Sequence, residues 1–167
     1  IDVNLIFMGH HSLTDGKYVI QNIAENRKDA IAFISPYRGA ALTDTSSQTA
    51  VTINSAEDIT DNVLSFYASI PSSSFAVFDS GYKYMYDRFA NTFRYIPLNG
   101  DIAGLCARND INNFPWYSPA GTSRGAILNA VKLAYNPSKS QRDRLYSSRI
   151  NPVIFRCYRK TDIRLGE

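Results

Sequence analysis

Gly121-Thr122-Ser123-Arg124-Gly125 is the string in this sequence that matches a nucleophile motif. A G-x-S-x-G elbow needs a strand running straight into a tight turn and then a helix, with an acid and a histidine later in the chain. Here a Pro-Trp-Tyr-Ser-Pro-Ala loop precedes the string, and both histidines, His10 and His11, lie far upstream of Ser123. Another order of triad residues is geometrically permitted. A helix start with Thr122 or Ser123 as N-cap needs fewer coincidences and is the stronger reading. His10 and His11 suggest a metal, but adjacent side chains of an extended segment point to opposite sides, and no further ligand stands at metal-site spacing. Asp79-Ser80-Gly81 follows an apolar strand, where open α/β sheets place ligands, yet no phosphate-binding glycine motif accompanies it. Tyr82, Tyr84 and Tyr86, with Lys83, Arg88 and Arg94, form a stacking pattern that serves single-stranded nucleic acid or, the favoured reading, a protein interface. Arg142, Arg144 and Arg149 make a basic series that reads as a solvated helix face or as a surface docking an acidic patch on a neighbour.

The elements that would position these residues follow from periodicity. Val3–Met8 is a short apolar strand, and Val19, Ile20, Ile23 and Ala24 mark one face of a helix over Asp15–Arg27 with Thr14 as N-cap. Ile31–Ser35 is a second strand, so strand, helix and strand make a βαβ unit with a right-handed crossover. Arg38–Asn54 reads as a loop with a minor strand near Ala50–Ile53. Ser55-Ala56-Glu57-Asp58 is a capping pattern opening a helix whose Ile59, Val63, Phe66, Tyr67 and Ile70 share a face. Phe75–Asp79 is the third strand, and Gly81–Tyr95 is extended and half-exposed. Pro97–Gly100 reads as a tight turn with Gly100 at positive φ. Ile102, Ala103, Cys106 and Ala107 then predict a helix in which Gly104 lets a neighbour approach. Beyond Asp110 comes a Pro-clamped loop around Trp116, read as a packing device that locks the core. Ile127, Ala130, Val131 and Ala134 predict a further amphipathic helix, and Ser138 or Ser140 caps a basic helix reaching Arg149. The expected fold is α/β: a mixed, partly parallel sheet flanked by helices, with a βαβαβ start.

Composition bounds the function classes. Of 167 residues, 44% are hydrophobic and 20% charged, which supports a packed core and excludes wholesale disorder. A net charge of +3 is too small to argue for nucleic acid. No run approaches the roughly 18 apolar residues of a membrane span. The two cysteines, Cys106 and Cys157, form no metal or redox spacing and read as reduced thiols of an intracellular protein, with Cys106 buried. The start at Ile1, running at once into a strand, reads as a segment of something longer.

Pro97-Leu98-Asn99-Gly100-Asp101-Ile102-Ala103-Gly104-Leu105-Cys106-Ala107-Arg108-Asn109-Asp110 continues through Trp116, Ser118-Pro119-Ala120-Gly121 and Arg124-Gly125. Leu128–Leu133, Gln141–Tyr146 and Ile150-Asn151-Pro152 complete the series, with Tyr82-Lys83-Tyr84 and Tyr86-Asp87 before it. In order and spacing these residues resemble the contractile tail sheath protein of myophages, of the T-even type, over most of the chain to Pro152. The resemblance implies a structural virion protein, with no enzyme activity, catalytic residue, cofactor or metal. Residues 1–152 would be its α/β middle domain, subtilisin-like in architecture only, and 153–167 a divergent basic tail. Pro97, Gly100, Ala103, Gly104, Ala107, Arg108, Asp110, Trp116, Pro119, Ala120, Gly121, Arg124, Asn151 and Pro152 would be its structural motif residues. The implied partners are other sheath subunits in hexameric rings stacked helically, the tail tube, and baseplate and terminator proteins, without nucleic acid or membrane insertion. Assembly in the host cytoplasm would place the protein in the virion tail. There the sheath contracts to drive the tube through the host envelope, by a bistable interface with no nucleotide consumed. The family's N-terminal arm and C-terminal domain have no counterpart in these residues. The alternative from another class is a serine hydrolase with Ser123 as nucleophile.

Overall fold

Alternation along one strand decides the architecture. In β2 (Ile31–Ile34), Ala32 and Ile34 join one buried cluster and Phe33 joins a second, so the strand is covered on both faces. The computed structural model describes residues 3–43, 53–121, 124–155 and 163–165. β1 (Leu5–Phe7) pairs with β2 in parallel, and β3 (Ala76–Asp79) pairs in parallel with the other edge of β2. A fourth parallel strand, β8 (Ile150–Asn151), completes the order β1-β2-β3-β8. The parallel βαβαβ start is as expected, whereas the short β8 carries no alternation by which periodicity could mark it.

Four helical segments cover the face built on Ala32, Ile34 and Phe78. The first starts as α1 (Leu13–Tyr18), widens to a π-helical stretch over Val19–Ala24 and ends as α2 (Glu25–Arg27). Its N-cap is Ser12 and not Thr14: the Ser12 hydroxyl accepts from the Asp15 N–H, and the Asp15 carboxylate accepts from the Ser12 N–H. A short α3 (Arg38–Ala41) replaces part of the expected loop, and Leu42 bridges to Ile53. Most of the stretch read as a minor strand, and Cys157, lie outside the described residues. α4 (Ala56–Ala68) is capped by Ser55 and buries Ile59, Val63, Phe66 and Tyr67 as the spacing predicts. α6 (Lys139–Ser147), capped by Ser138 with Gln141 in reciprocal contact, adds Leu145.

Phe33, Val77 and Leu5 face the other way, against α5 (Asn99–Asn112), whose Ile102, Ala103 and Leu105 are buried. Two antiparallel ribbons flank this packing. β4 (Tyr82–Asp87) pairs with β5 (Thr92–Pro97) on one side and with β7 (Lys132–Leu133) on the other. β6 (Ala126–Ile127) and β9 (Val153–Phe155) flank β10 (Ile163–Leu165). The helix predicted over Ile127–Ala134 is therefore absent. Ile127 is buried and paired with Ile163, Leu128 and Val131 are 64% and 59% exposed, and Asn129 sits at φ +58°. Of the apolar residues at helical spacing here, Ile127 lies in β6, and Ala130, Val131 and Ala134 lie outside the strands.

Pro97–Gly100 is no positive-φ turn either. Leu98 is the N-cap of α5, and the positive-φ glycines among the described residues are Gly9, Gly81 and Gly121. A side chain added at Gly104 would meet open space, so no neighbour presses on it, and Cys106 is half-buried.

Candidate functional site

The polar residues at the C-terminal ends of the parallel strands are the first place to look for chemistry. Asp79 is buried, its carboxylate accepting from the Ser35 hydroxyl at 2.6 Å and from the Gly81 N–H at 2.9 Å. Ser35 in turn accepts from the Asn99 N–H at the start of α5, and the Asn99 amide donates to the Gly9 carbonyl. The Tyr67 hydroxyl lies 2.8 Å from the carbonyl oxygens of both Ile34 and Asp79. Ser80 accepts from the Val153 N–H, and the Asn151 amide donates to the Phe78 carbonyl. The loops after β1, β2 and β3, the two residues of β8 and the first turn of α5 are thus stitched together. Burial raises the Asp79 carboxyl to about 8, against the opposing pull of its hydrogen bonds from Ser35 and Gly81. Asp79-Ser80-Gly81, weighed as a ligand site, is a fastening whose donors and acceptors meet inside the chain.

Beside it, Lys83 and Asp101 form an ion pair at 2.6 Å between β4 and the first turn of α5. They border a cleft of about 440 Å³ with Phe7, His10, Arg38 and Arg94. Burial raises Asp101 and the Lys83 partner opposes it. His11 is buried, with Nδ1 3.0 Å from the Gly9 carbonyl, and burial lowers its pKa more than that contact raises it. Its Nε2 has no hydrogen-bond partner among the described residues and packs against Gly16. Arg144 of the basic series pairs with Glu57 and Asp61 of α4, so its acidic partner is in the same chain.

The tyrosine alternation divides by depth. Tyr82 is buried with its hydroxyl donating to the Pro36 carbonyl, Tyr84 packs on the core between Phe93 and Tyr95, and Tyr86 lies at the surface. This leaves no continuous stacking platform on β4.

Gly121 and Gly125 have a backbone explanation. Gly121 holds φ +96° and its carbonyl accepts from the Gly125 N–H at 3.0 Å. A side-chain carbon at Gly125 would lie 2.8 Å from that same oxygen. The pair pinches a loop shut, which only glycines allow. Thr122 and Ser123 lie outside the described residues, but Gly125 leads into β6 and not into the helix that both an elbow and an N-cap require.

The remaining motif residues fall at three depths. Ala103 and Pro152 are buried, and Pro97 ends β5 opposite Tyr82. Gly100 lies in α5 beside the Phe7 ring, and Ala107, Pro119, Ala120 and Asn151 are half-buried. Arg108 donates through Nη2 to the carbonyls of Arg124 and Ala126 at 2.7 and 3.0 Å, and Asn109 donates to those of Phe114 and Tyr117. Asp110 and Trp116 are exposed, Trp116 by 74%. Its ring stacks on Phe114 at 4.7 Å and Tyr117 packs edge-on to Phe114, so the loop forms an outward aromatic surface and not the core lock expected of it. The bonding roles of Ser35, Asn99 and the Lys83–Asp101 pair were missed by motif reading, because each acts through a partner distant in sequence, whereas Asn109 was missed although its acceptors lie only five and eight residues on.

Such a molecule, a sheet fastened at its strand ends with aromatic side chains turned outward, has the character of a protein-binding structural domain. Residues 14–161 match the family model for the phage tail sheath protein central domain, and the chain belongs to that family. It is 38% identical over 164 residues to the tail sheath protein of Enterobacteria phage T4 and 36% identical over 147 residues to that of Vibrio phage KVP40. These alignments cover 92% and 83% of the chain but 24% and 21% of the two relatives. The fold is shared with the contracted helical sheath of the anti-feeding prophage, at a TM-score of 0.64 and 10% identity, covering 98% of this chain and 38% of that one. The family is one of structural tail sheath proteins, components of the virion tail, and nothing in these relatives supports a serine hydrolase.

Proposed function

We propose that this chain is the middle portion of a contractile sheath subunit, taking residues 1–152 as the α/β domain and 153–167 as its extension. The match of residues 14–161 to the tail sheath central domain carries the reading. The subunit stacks with its copies as hexameric rings around the tail tube, meets baseplate and terminator proteins at the ends, and assembles in the host cytoplasm. It binds no nucleic acid and inserts in no membrane. Contraction would move this domain as a rigid body between two packings, and the fastened strand ends suit that task, since load on α5 passes directly to the sheet. In the same reading Pro97, Gly100, Ala103 and Ala107 set α5 on the sheet, Arg108 ties it to the loop before β6, and Trp116 to Arg124, Asn151 and Pro152 shape the loops around it.

A chimaera tests this. The chain replaces its matched segment in the T4 tail sheath protein, and infected cells are examined by electron microscopy. Extended sheaths that contract on urea treatment are expected. A soluble, folded chimaera that never enters a sheath would overturn the proposal.

A further inference from the structure

Arg108 and Arg124 line one small polar cavity of about 250 Å³, between the end of α5 and the loop before β6, together with Asn109, Asn112, Asn113 and Ala126. Neither guanidinium has a carboxylate partner among the described residues. Arg108 is held rigidly by its two carbonyl acceptors. Arg124 is held by the Tyr117 ring, 5.2 Å from its guanidinium carbon, and its Nε–H is buried with no acceptor among the described residues. Two fixed cations around one cavity, one with a buried unused donor, are a pre-organised oxyanion site. Planar guanidinium edges suit a carboxylate.

The rim says where that carboxylate comes from. Phe114, Trp116 and Tyr117 stand exposed beside Arg124, an apolar surface with nothing to offer a free inorganic anion. An acidic side chain arrives with its own chain, whose neighbouring apolar residue can cover the indole. We propose that this cavity and its aromatic rim form a binding site for an acidic side chain of a partner protein, flanked in that partner by an apolar residue. The carboxylate sits between Arg108 and Arg124, and the apolar neighbour lies on Trp116. The site stands independently of the sheath reading, because either can fail without the other.

The test follows the arginine Nε–H resonances of the 15N-labelled chain during titration with two capped tripeptides, acetyl-Leu-Glu-Leu-amide and acetyl-Leu-Gln-Leu-amide, against potassium chloride at matched ionic strength. The Glu peptide should give a saturable shift of the Arg124 Nε–H, and the Gln peptide and chloride none. Trp116→Ala should raise the half-saturating peptide concentration at least three-fold while leaving the response to sodium acetate unchanged. Equal shifts from both peptides, a shift reproduced by chloride, or an unchanged midpoint in Trp116→Ala would each overturn the proposal. The peptide comparison needs no variant, so a folding defect cannot mask the answer.

Discussion

Asp79 carries a proton at pH values where an ordinary carboxyl has released it. Its folded pKa is about 8 against 3.8 in a solvated reference. Between these values the folded chain binds a proton that the unfolded chain lacks, so the stability it contributes is complete below the lower value and declines as pH rises to about 8. Asp79→Asn keeps the shape, accepts from Gly81 and cannot titrate. Urea midpoints of the parent chain should therefore fall relative to those of the variant between pH 5 and pH 8, and parallel profiles would refute the buried proton. His11 pulls the other way: its lowered pKa means that stability drops as pH falls below the ordinary histidine range. Two glycines give a second residue-scale comparison by thermal melting. Gly125→Ala should destabilise by about 1–3 kcal/mol, because its new carbon meets the Gly121 carbonyl. Gly104→Ala, in an exposed helix position with open space around it, should stabilise by about 0.5–1 kcal/mol. A stabilising Gly125→Ala would remove the pinched-loop account.

At the scale of elements, sequence was a good guide wherever local pattern and burial agree. Ile59, Val63, Phe66 and Tyr67 marked the buried face of α4, and the three apolar runs became β1, β2 and β3 in parallel order. It misled where a residue's partner lies far along the chain. Ile127 and Val131 mimic a helical face, yet Ile127 is held by β10 and the Val131 N–H by the Tyr84 carbonyl. The aromatic loop misled for another reason: Pro115, Trp116 and Pro119 signal rigidity, and rigidity is silent about which way a ring points. Asn109 supplies that rigidity by tying the Phe114 and Tyr117 carbonyls, which leaves Trp116 outside. Since Trp116 is the sole tryptophan, its fluorescence reports on the loop alone. Emission should be as red and as open to acrylamide quenching in the folded chain as in urea, and Trp116→Ala should change stability by no more than about 0.5 kcal/mol. Blue-shifted, shielded emission would mean that the ring is packed.

The whole molecule covers both faces of its parallel sheet, but it spans only about a quarter of the T4 relative. Purified alone, the 167-residue chain should remain free of ordered sheath-like tubes in electron micrographs, because it matches only about a quarter of the T4 tail sheath protein. Tubes from the chain alone would locate the assembly contacts entirely within it. The fastening at the strand ends also has a mechanical meaning. Adjacent parallel strands drawn in opposite directions along their length share the force across all their ladder bonds at once, whereas a strand lifted from an edge gives up its bonds one by one. β8 is the shortest strand of its sheet, with two residues in register on β3, and Asn151 and Ser80 pin that junction with side-chain bonds outside the ladder. In an optical trap that pulls from the C-terminal side, β8 should be the first strand of the parallel sheet to yield once β10 and β9 are peeled away, and Asn151→Ala should lower the rupture force. That order of rupture would make the seam between β3 and β8 the mechanical fuse of the domain.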